Sequence, residues 1–133
     1  MNRLALIDDD TVLLSVLKEV FELRGLQVTA YSDPLLAREE LPADPPHAVL
    51  TDGLMPGLDG FELCQQLRGM EGFGRTPIFI MSAKHSIAEL SKAMMAGADE
   101  YIVKPFPPEE LLKKLISTYD KKNNPVRIKS GEG

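Results

Sequence analysis

The segment Leu4-Ala5-Leu6-Ile7-Asp8-Asp9-Asp10 changes character abruptly. Four apolar residues in succession, without polar alternation, read as a short strand buried on both faces, as in a parallel sheet. Three acids stop the run. Beyond them the period changes: Leu13, Val16, Leu17, Val20 and Phe21 recur at helical spacing and are expected to face the core, and Gly25 closes the helix as its C′ residue. Strand, acidic loop and helix make one βα unit.

The unit recurs along the chain. Leu26–Tyr31 is β-rich, and Asp33-Pro34 reads as an N-cap with proline at N1, opening a short helix to Leu41. Pro42, Pro45 and Pro46 break the chain before a third strand, His47–Thr51. After a loop rich in Gly and Pro, Asp59 and Glu62 form a capping-box pattern and open a helix through Phe61, Cys64 and Leu67. Gly69, Gly72 and Gly74 end it, and Thr76–Met81 is a fourth strand. Ser86 and Glu89 repeat the capping pattern; Ile87, Leu90 and Met94 are expected inward, Ser91, Lys92 and Met95 outward, with Gly97 as the stop. Glu100–Val103 is a fifth strand. Pro107-Pro108-Glu109-Glu110 starts a last helix with its apolar face at Leu111, Leu112, Leu115, Ile116 and Tyr119. Five strands alternating with five helices predict a single α/β domain with a parallel sheet and right-handed crossovers.

Composition agrees with one folded domain. The chain has 133 residues, 44% hydrophobic and 26% charged, which excludes a disordered, collagenous or disulfide-scaffold protein. The net charge of −5 disfavours non-specific binding to nucleic acid or to an anionic membrane. No apolar run is long enough to span a bilayer, and Met1-Asn2-Arg3 does not begin a signal peptide. Cys64 is the only cysteine, so no intrachain disulfide forms. A soluble, cytoplasmic protein is the expectation. The character changes again from Asp120 to Gly133, where Lys121, Lys122, Arg127 and Lys129 outweigh Asp120 and Glu132. The domain is therefore expected at 1–119, with 120–133 a frayed or disordered tail, a linker or a remnant of expression.

Ligands of such sheets bind beyond the carboxyl ends of the strands. Those ends carry Asp8, Asp9 and Asp10 after strand one, Asp52 at the end of strand three, Ser82 after strand four and Lys104-Pro105 after strand five. Two carboxylates about 5 Å apart repel by about 3 kcal/mol at an effective dielectric near 20. A hard divalent cation relieves this, and a half-built carboxylate cage suits Mg²⁺, which keeps waters and phosphate oxygens among its ligands. A carboxylate can also attack phosphorus to give an aspartyl phosphate, and Asp52, alone on a central strand, is the candidate nucleophile. Lys104 and the cation would neutralise phosphoryl oxygens, and the Ser82 hydroxyl could donate to one. Singly, each residue has an ordinary structural explanation: Asp10 as a helix cap, Lys104 as a surface charge, Ser82 as a turn residue. Their conjunction at one sheet edge has no such explanation.

Leu6-Ile7-Asp8-Asp9-Asp10, Asp52-Gly53-Leu54-Met55-Pro56-Gly57-Leu58-Asp59-Gly60, Met81-Ser82-Ala83 and Tyr101-Ile102-Val103-Lys104-Pro105-Phe106 together resemble the response-regulator receiver domain, from about Leu4 to Tyr119. The resemblance implies a doubly wound (βα)5 flavodoxin-like fold with sheet order 2-1-3-4-5, the order of chemotaxis receivers. It implies Asp52 as phosphoacceptor, and Asp8, Asp9, Asp52 and the Leu54 main-chain carbonyl as Mg²⁺ ligands. Ser82 would bond the phosphoryl group, Lys104 would neutralise it, and the Lys104–Pro105 bond is often cis in that family. Tyr101 would be the aromatic switch that turns inward when Ser82 moves. Partners would be a histidine kinase or phosphotransfer protein as donor, and a downstream protein or output domain bound through the fourth helix, fifth strand and fifth helix. Homodimerisation through that face on activation is a further expectation; nucleic-acid or membrane binding by this chain alone is not. The protein would be no enzyme beyond promoting its own phosphorylation and dephosphorylation. Nothing after Tyr119 is long enough for an output domain, so the chain would either stand alone or be cut from a longer one. Leu54 and Lys84 would flank the site and tune phosphate lifetime, while His47 and His85 are expected at the surface.

Three alternatives use the same residues differently. Asp8-Asp9-Asp10 contains the D-x-D spacing of haloacid-dehalogenase-like Mg²⁺ phosphatases, although the chain lacks a cap domain and Asp8 would have to replace Asp52 as nucleophile. A flavodoxin-like cofactor site would need a phosphate-welcoming loop after strand one, where three aspartates repel phosphate. A phosphorylation-independent interaction module would keep the fold without the chemistry.

Overall fold

The computed structural model describes residues 1–124. Elements follow in the order β1 (Arg3–Ile7), α1 (Thr11–Leu23), β2 (Gln27–Tyr31), α2 (Pro34–Glu40), a 3-10 turn (Leu41–Ala43), β3 (Ala48–Asp52), α3 (Gly60–Arg68), β4 (Ile78–Ser82), α4 (Ile87–Met95), β5 (Glu100–Val103) and α5 (Pro108–Asn123). The strands form one parallel sheet in the order β2-β1-β3-β4-β5. Every residue of β3 and β4 is buried, as continuous apolar runs in a doubly covered sheet require.

Period-two alternation divides the core between the two faces. Leu4, Leu6, Leu50, Phe79, Met81 and Ile102 pack with Leu14, Leu17 and Phe21 of α1 and Leu111, Leu112 and Leu115 of α5. Ala5, Ile7, Val49, Ile78 and Ile80 pack with Phe61, Leu63, Cys64 and Leu67 of α3, and with Ala37 and Ala93 of α2 and α4. Each fully buried large side chain contributes about 1.5–3 kcal/mol.

Local chemistry sets the helix ends. The Asp10 carboxylate accepts from the Val12 and Leu13 N–H groups at the start of α1, and Asp33 caps α2 with Pro34 behind it. Gly25 takes φ +90 just past α1, a left-handed conformation that favours glycine. At α3 the Asp59–Glu62 capping box is complete.

Three helices depart from the sequence expectation. In α1 Leu17 and Phe21 are buried and Leu13 and Val20 pack partly buried against them as expected, but Leu14 is also buried and Val16 is 51% exposed. The helix carries apolar residues on several sides, so spacing did not separate Leu14 from Val16. In α4 only Ala93 is buried, while Ile87 is 82% exposed and Leu90 and Met94 also face solvent. The helix rests on the core through small residues, Ala93 and the partly buried Ala96. Its Ser86 cap bonds the Glu89 N–H, but the reciprocal half of the expected box is not formed. Finally, α5 continues past Tyr119 to Asn123, so the first four residues of the expected tail are helical. Tertiary contacts hold them: Lys122 pairs with Asp99 at 2.8 Å, and Asn123 Nδ2 donates to the Arg75 carbonyl. The rest of the expected tail, 125–133, lies outside the described residues. Among the described helices, none is long and apolar enough to cross a membrane.

Candidate functional site

Parallel register brings the carboxyl ends of four strands to one edge. Ile7 pairs with Thr51, Asp52 with Met81 and Ser82 with Val103, so Asp8, Asp52, Ser82 and Lys104 emerge side by side. The backbone continues this lattice beyond the strands: the Gly53 N–H donates to the Met81 carbonyl and the Lys104 N–H to that of Ser82, both at 2.7 Å.

Asp8 is fully buried. Its Oδ1 accepts from the Asp10 N–H at 2.9 Å, and its Oδ2 lies 2.8 Å from Lys104 Nζ. The same ammonium reaches Asp52 Oδ1 at 2.9 Å. Lys104 thus bridges a carboxylate just past β1 and one at the end of β3. Burial disfavours its charge, yet the bonds to Asp8 and Asp52 outweigh that and raise its pKa. Burial raises the pKa of the Asp52 carboxyl; the Lys104 bond pulls it down, and the charges of Asp8 and Asp9 push it up again. One cation therefore faces three acids. Oxygens of Asp8, Asp9 and Asp52 lie within 4.8 Å of one another, and Asp9 is exposed. This set could hold a metal ion, and its chemistry of closely spaced carboxylate oxygens suits a small, hard divalent cation. Asp10 stands apart, with its side chain used as the α1 cap.

The Asp52 side of the pocket depends on one glycine. The Gly60 N–H donates to the Gly53 carbonyl at 2.9 Å, which ties the start of α3 to the loop after β3. A Cβ at Gly60 would lie 1.9 Å from the Asp52 carbonyl oxygen, so no other residue fits without moving the strand end.

Ser82 is 2% exposed, and its Oγ accepts from the Lys84 N–H at 3.1 Å. The carbonyl of the same Lys84 accepts from the Tyr101 hydroxyl at 2.9 Å. One peptide segment therefore joins the serine at the end of β4 to the tyrosine on β5. Sequence reading placed Lys84 only beside the pocket, because main-chain bonding by a loop residue leaves no mark in side-chain identity. The Leu54 side chain is exposed, as are Lys84 and His85. The Lys104–Pro105 peptide is cis. His47, expected at the surface, is half-buried at the opposite end of the sheet, against Tyr119. Cys64 is buried in α3, where burial pushes its thiol up to about 11.

Comparison with known proteins gives a consistent result. A family model described as the response regulator receiver domain matches residues 4–116. The response regulator MprA of Mycobacterium tuberculosis is 36% identical over 113 residues, covering 85% of this chain and 48% of that protein. The chain thus spans about half the length of the curated relatives it matches. Among solved structures, the receiver domain of the Francisella response regulator 1452 superposes with TM-score 0.82 at 28% identity, over 91% of this chain and 98% of that one. The receiver domain of sensor histidine kinase PA1611 from Pseudomonas aeruginosa, solved with magnesium coordinated in its active site cleft, has TM-score 0.81 at 26% identity, over 89% and 97%. With an acidic cluster, a buried serine and a bridging lysine gathered at one sheet edge, and a family match across nearly the whole domain, the chain belongs to the response regulator receiver domains of two-component systems.

Proposed function

We propose that this domain accepts a phosphoryl group on Asp52 from a histidine kinase or phosphotransfer protein, with Mg²⁺, and that the modification shifts the face formed by α4, β5 and α5. The single observation that carries the reading is the pairing of Lys104 with both Asp8 and Asp52 beside the exposed carboxylate of Asp9. It leaves Asp52 buried but flanked by charge that can be redistributed, at the carboxyl edge of the sheet.

In the transfer, an Asp52 Oδ attacks phosphorus in line, the bond between phosphorus and the donor nitrogen breaks, and the departing imidazole takes up a proton. Asp8, Asp9, Asp52 and the Leu54 carbonyl would hold Mg²⁺. Bound there, the ion supplies charge neutralisation on the phosphoryl oxygens. Lys104, held between Asp8 and Asp52, neutralises a further oxygen. Ser82, released from the Lys84 N–H, turns its hydroxyl toward the new phosphoryl group. That breaks one of the two bonds through which Lys84 joins Ser82 to Tyr101, so the loop before α4 and the Tyr101 ring move together. A downstream protein, an attached output domain or a second copy of the chain reads the altered face. The domain acts on no external substrate; it promotes only its own phosphorylation and dephosphorylation.

Intact mass after incubation with Mg²⁺ and acetyl phosphate tests the reading. Wild type should gain one phosphate and Asp52→Asn none. Steady phosphate release from an unrelated phosphomonoester, abolished by Asp8→Asn and retained by Asp52→Asn, would overturn it in favour of the phosphatase chemistry.

A further inference from the structure

The first turn of α4 contradicts its own sequence in three ways. Ile87, Leu90 and Met94 face solvent although their spacing is that of a buried stripe. Glu89 lies between them on the side turned toward the core, and its Oε1 is the one buried side-chain polar atom among the described residues with no hydrogen-bond partner. The Ser86–Glu89 box is half made: Ser86 Oγ accepts from the Glu89 N–H at 3.0 Å, but the Glu89 carboxylate does not reach the Ser86 N–H. At α3 the same four-residue pattern closes completely, with Asp59 N–H donating to Glu62 Oε1. The chemistry for a closed box is thus present at α4, and the carboxylate points elsewhere.

A buried acceptor without a donor loses its hydration and gains nothing in return. Turning outward would restore both hydration and the missing capping bond. The space left under the helix could then be filled by an apolar neighbour, and Leu90, the next residue, is half out of the core. The turn is also mechanically addressed. Lys84, two residues before the Ser86 cap, is bonded to Ser82 and Tyr101, so a displacement at Ser82 reaches the cap through two peptide units.

We propose that Glu89 is a two-position carboxylate that positions α4: turned under the helix in this structure, it closes the capping box with the Ser86 N–H in the switched state, and the exchange redirects the Ile87–Leu90–Met94 side of the helix. The proposal rests on Asp52 being the phosphorylated residue. It makes Glu89 a positioning residue, remote from phosphoryl chemistry, that stores part of the difference between the two states.

Hydrogen exchange at the backbone amides of Ile87–Ser91 tests it, with Glu89→Leu and Glu89→Gln beside wild type. Leucine removes the orphaned oxygen and cannot cap; glutamine keeps both the shape and the capping capacity. Unphosphorylated Glu89→Leu should exchange about 10-fold more slowly in this turn and melt at a higher temperature than wild type. With acetyl phosphate and Mg²⁺, wild type and Glu89→Gln should both change exchange in this turn, and Glu89→Leu should show less than about a third of that change. Intact mass should show the same phosphate gain in all three. Equal changes in all three proteins, or a lower melting temperature with faster exchange in Glu89→Leu, would overturn the proposal. Absence of phosphate on wild type would overturn the phosphoacceptor reading instead, and the unphosphorylated exchange rates would still decide whether the inward carboxylate strains the helix.

Discussion

At the scale of single residues, His47 does more than a loop histidine beside Pro46 suggests. Its Nδ1 accepts from the N–H groups of both Asn2 and Arg3 at 3.0 Å, so the ring must be neutral with its proton on Nε2. Burial, then the charges of Arg3 and the amino terminus, lower its pKa from 6.5. The folded protein therefore binds this proton less readily than the unfolded chain. The stabilisation is fully present above the unfolded value and is lost as pH falls through the folded one. Thermal midpoints should drop more steeply on going from about pH 7 to pH 5 in wild type than in His47→Asn, whose side-chain oxygen accepts without titrating; parallel slopes would show that His47 is not the source. The acidic cluster makes a second prediction. One lysine cannot balance Asp8, Asp9 and Asp52, so a divalent cation should stabilise the fold by mass action, by about 2.7 kcal/mol at a hundred times its Kd. Melting curves should rise with Mg²⁺ and fall back with a chelator. Asp9→Asn, which removes an exposed carboxylate from the cluster, should blunt the rise.

Elements show where pattern and packing part company. The strands were legible because full burial demands uninterrupted apolar runs, and β3 and β4 contain little else. Helix caps were equally legible at Asp10, Asp33 and Asp59, since a short polar side chain there satisfies backbone donors that have no other partner. Helix faces were not. Nothing in Ile87, Leu90 and Met94 reveals that Ala93 will be the residue set against the sheet. Ile87→Ser should leave stability within about 0.5 kcal/mol of wild type in denaturant titration, as for an exposed position. Gly60→Ala, by contrast, sets a Cβ against the Asp52 carbonyl and should cost several-fold more, about 2 kcal/mol or above, with loss of the phosphorylation proposed at Asp52. A strongly destabilising Ile87→Ser would show that α4 presents a different side to the core.

Across the whole molecule, the end of the sheet remote from the acidic cluster is closed by one ionic network. Arg68 on α3 donates to the carbonyls of Gly97, Phe73 and Thr76 and pairs with Asp99 at 2.7 Å. Asp99 also accepts from the Ile78 N–H and from Lys122 of α5. Four segments distant in sequence meet on two side chains, mostly shielded from solvent. Removing Arg68 leaves three carbonyls and a carboxylate short of donors. Arg68→Ala should therefore cost about 3 kcal/mol in equilibrium unfolding, well above an exposed ion pair such as Arg3–Asp44. A loss below about 1 kcal/mol would reduce the network to surface decoration. The network also explains why α5 outruns the boundary read at Tyr119: Lys122 has a tertiary partner that composition cannot show.

The chain's order of apolar runs, caps and acids was enough to establish five βα units, and with them the edge where Asp8, Asp9, Asp52, Ser82 and Lys104 had to gather. Sheet topology places strand ends together, so residues far apart in sequence share a site by rule and their types announce its chemistry. Other features arose only when the chain closed on itself. They are the lysine shared between Asp8 and Asp52, the Lys84 peptide linking Ser82 to Tyr101, the inward turn of Glu89, and the Arg68–Asp99–Lys122 network. Each depends on distances of a few ångströms between elements. Those distances follow from side-chain packing and main-chain hydrogen bonds, which local residue patterns do not encode.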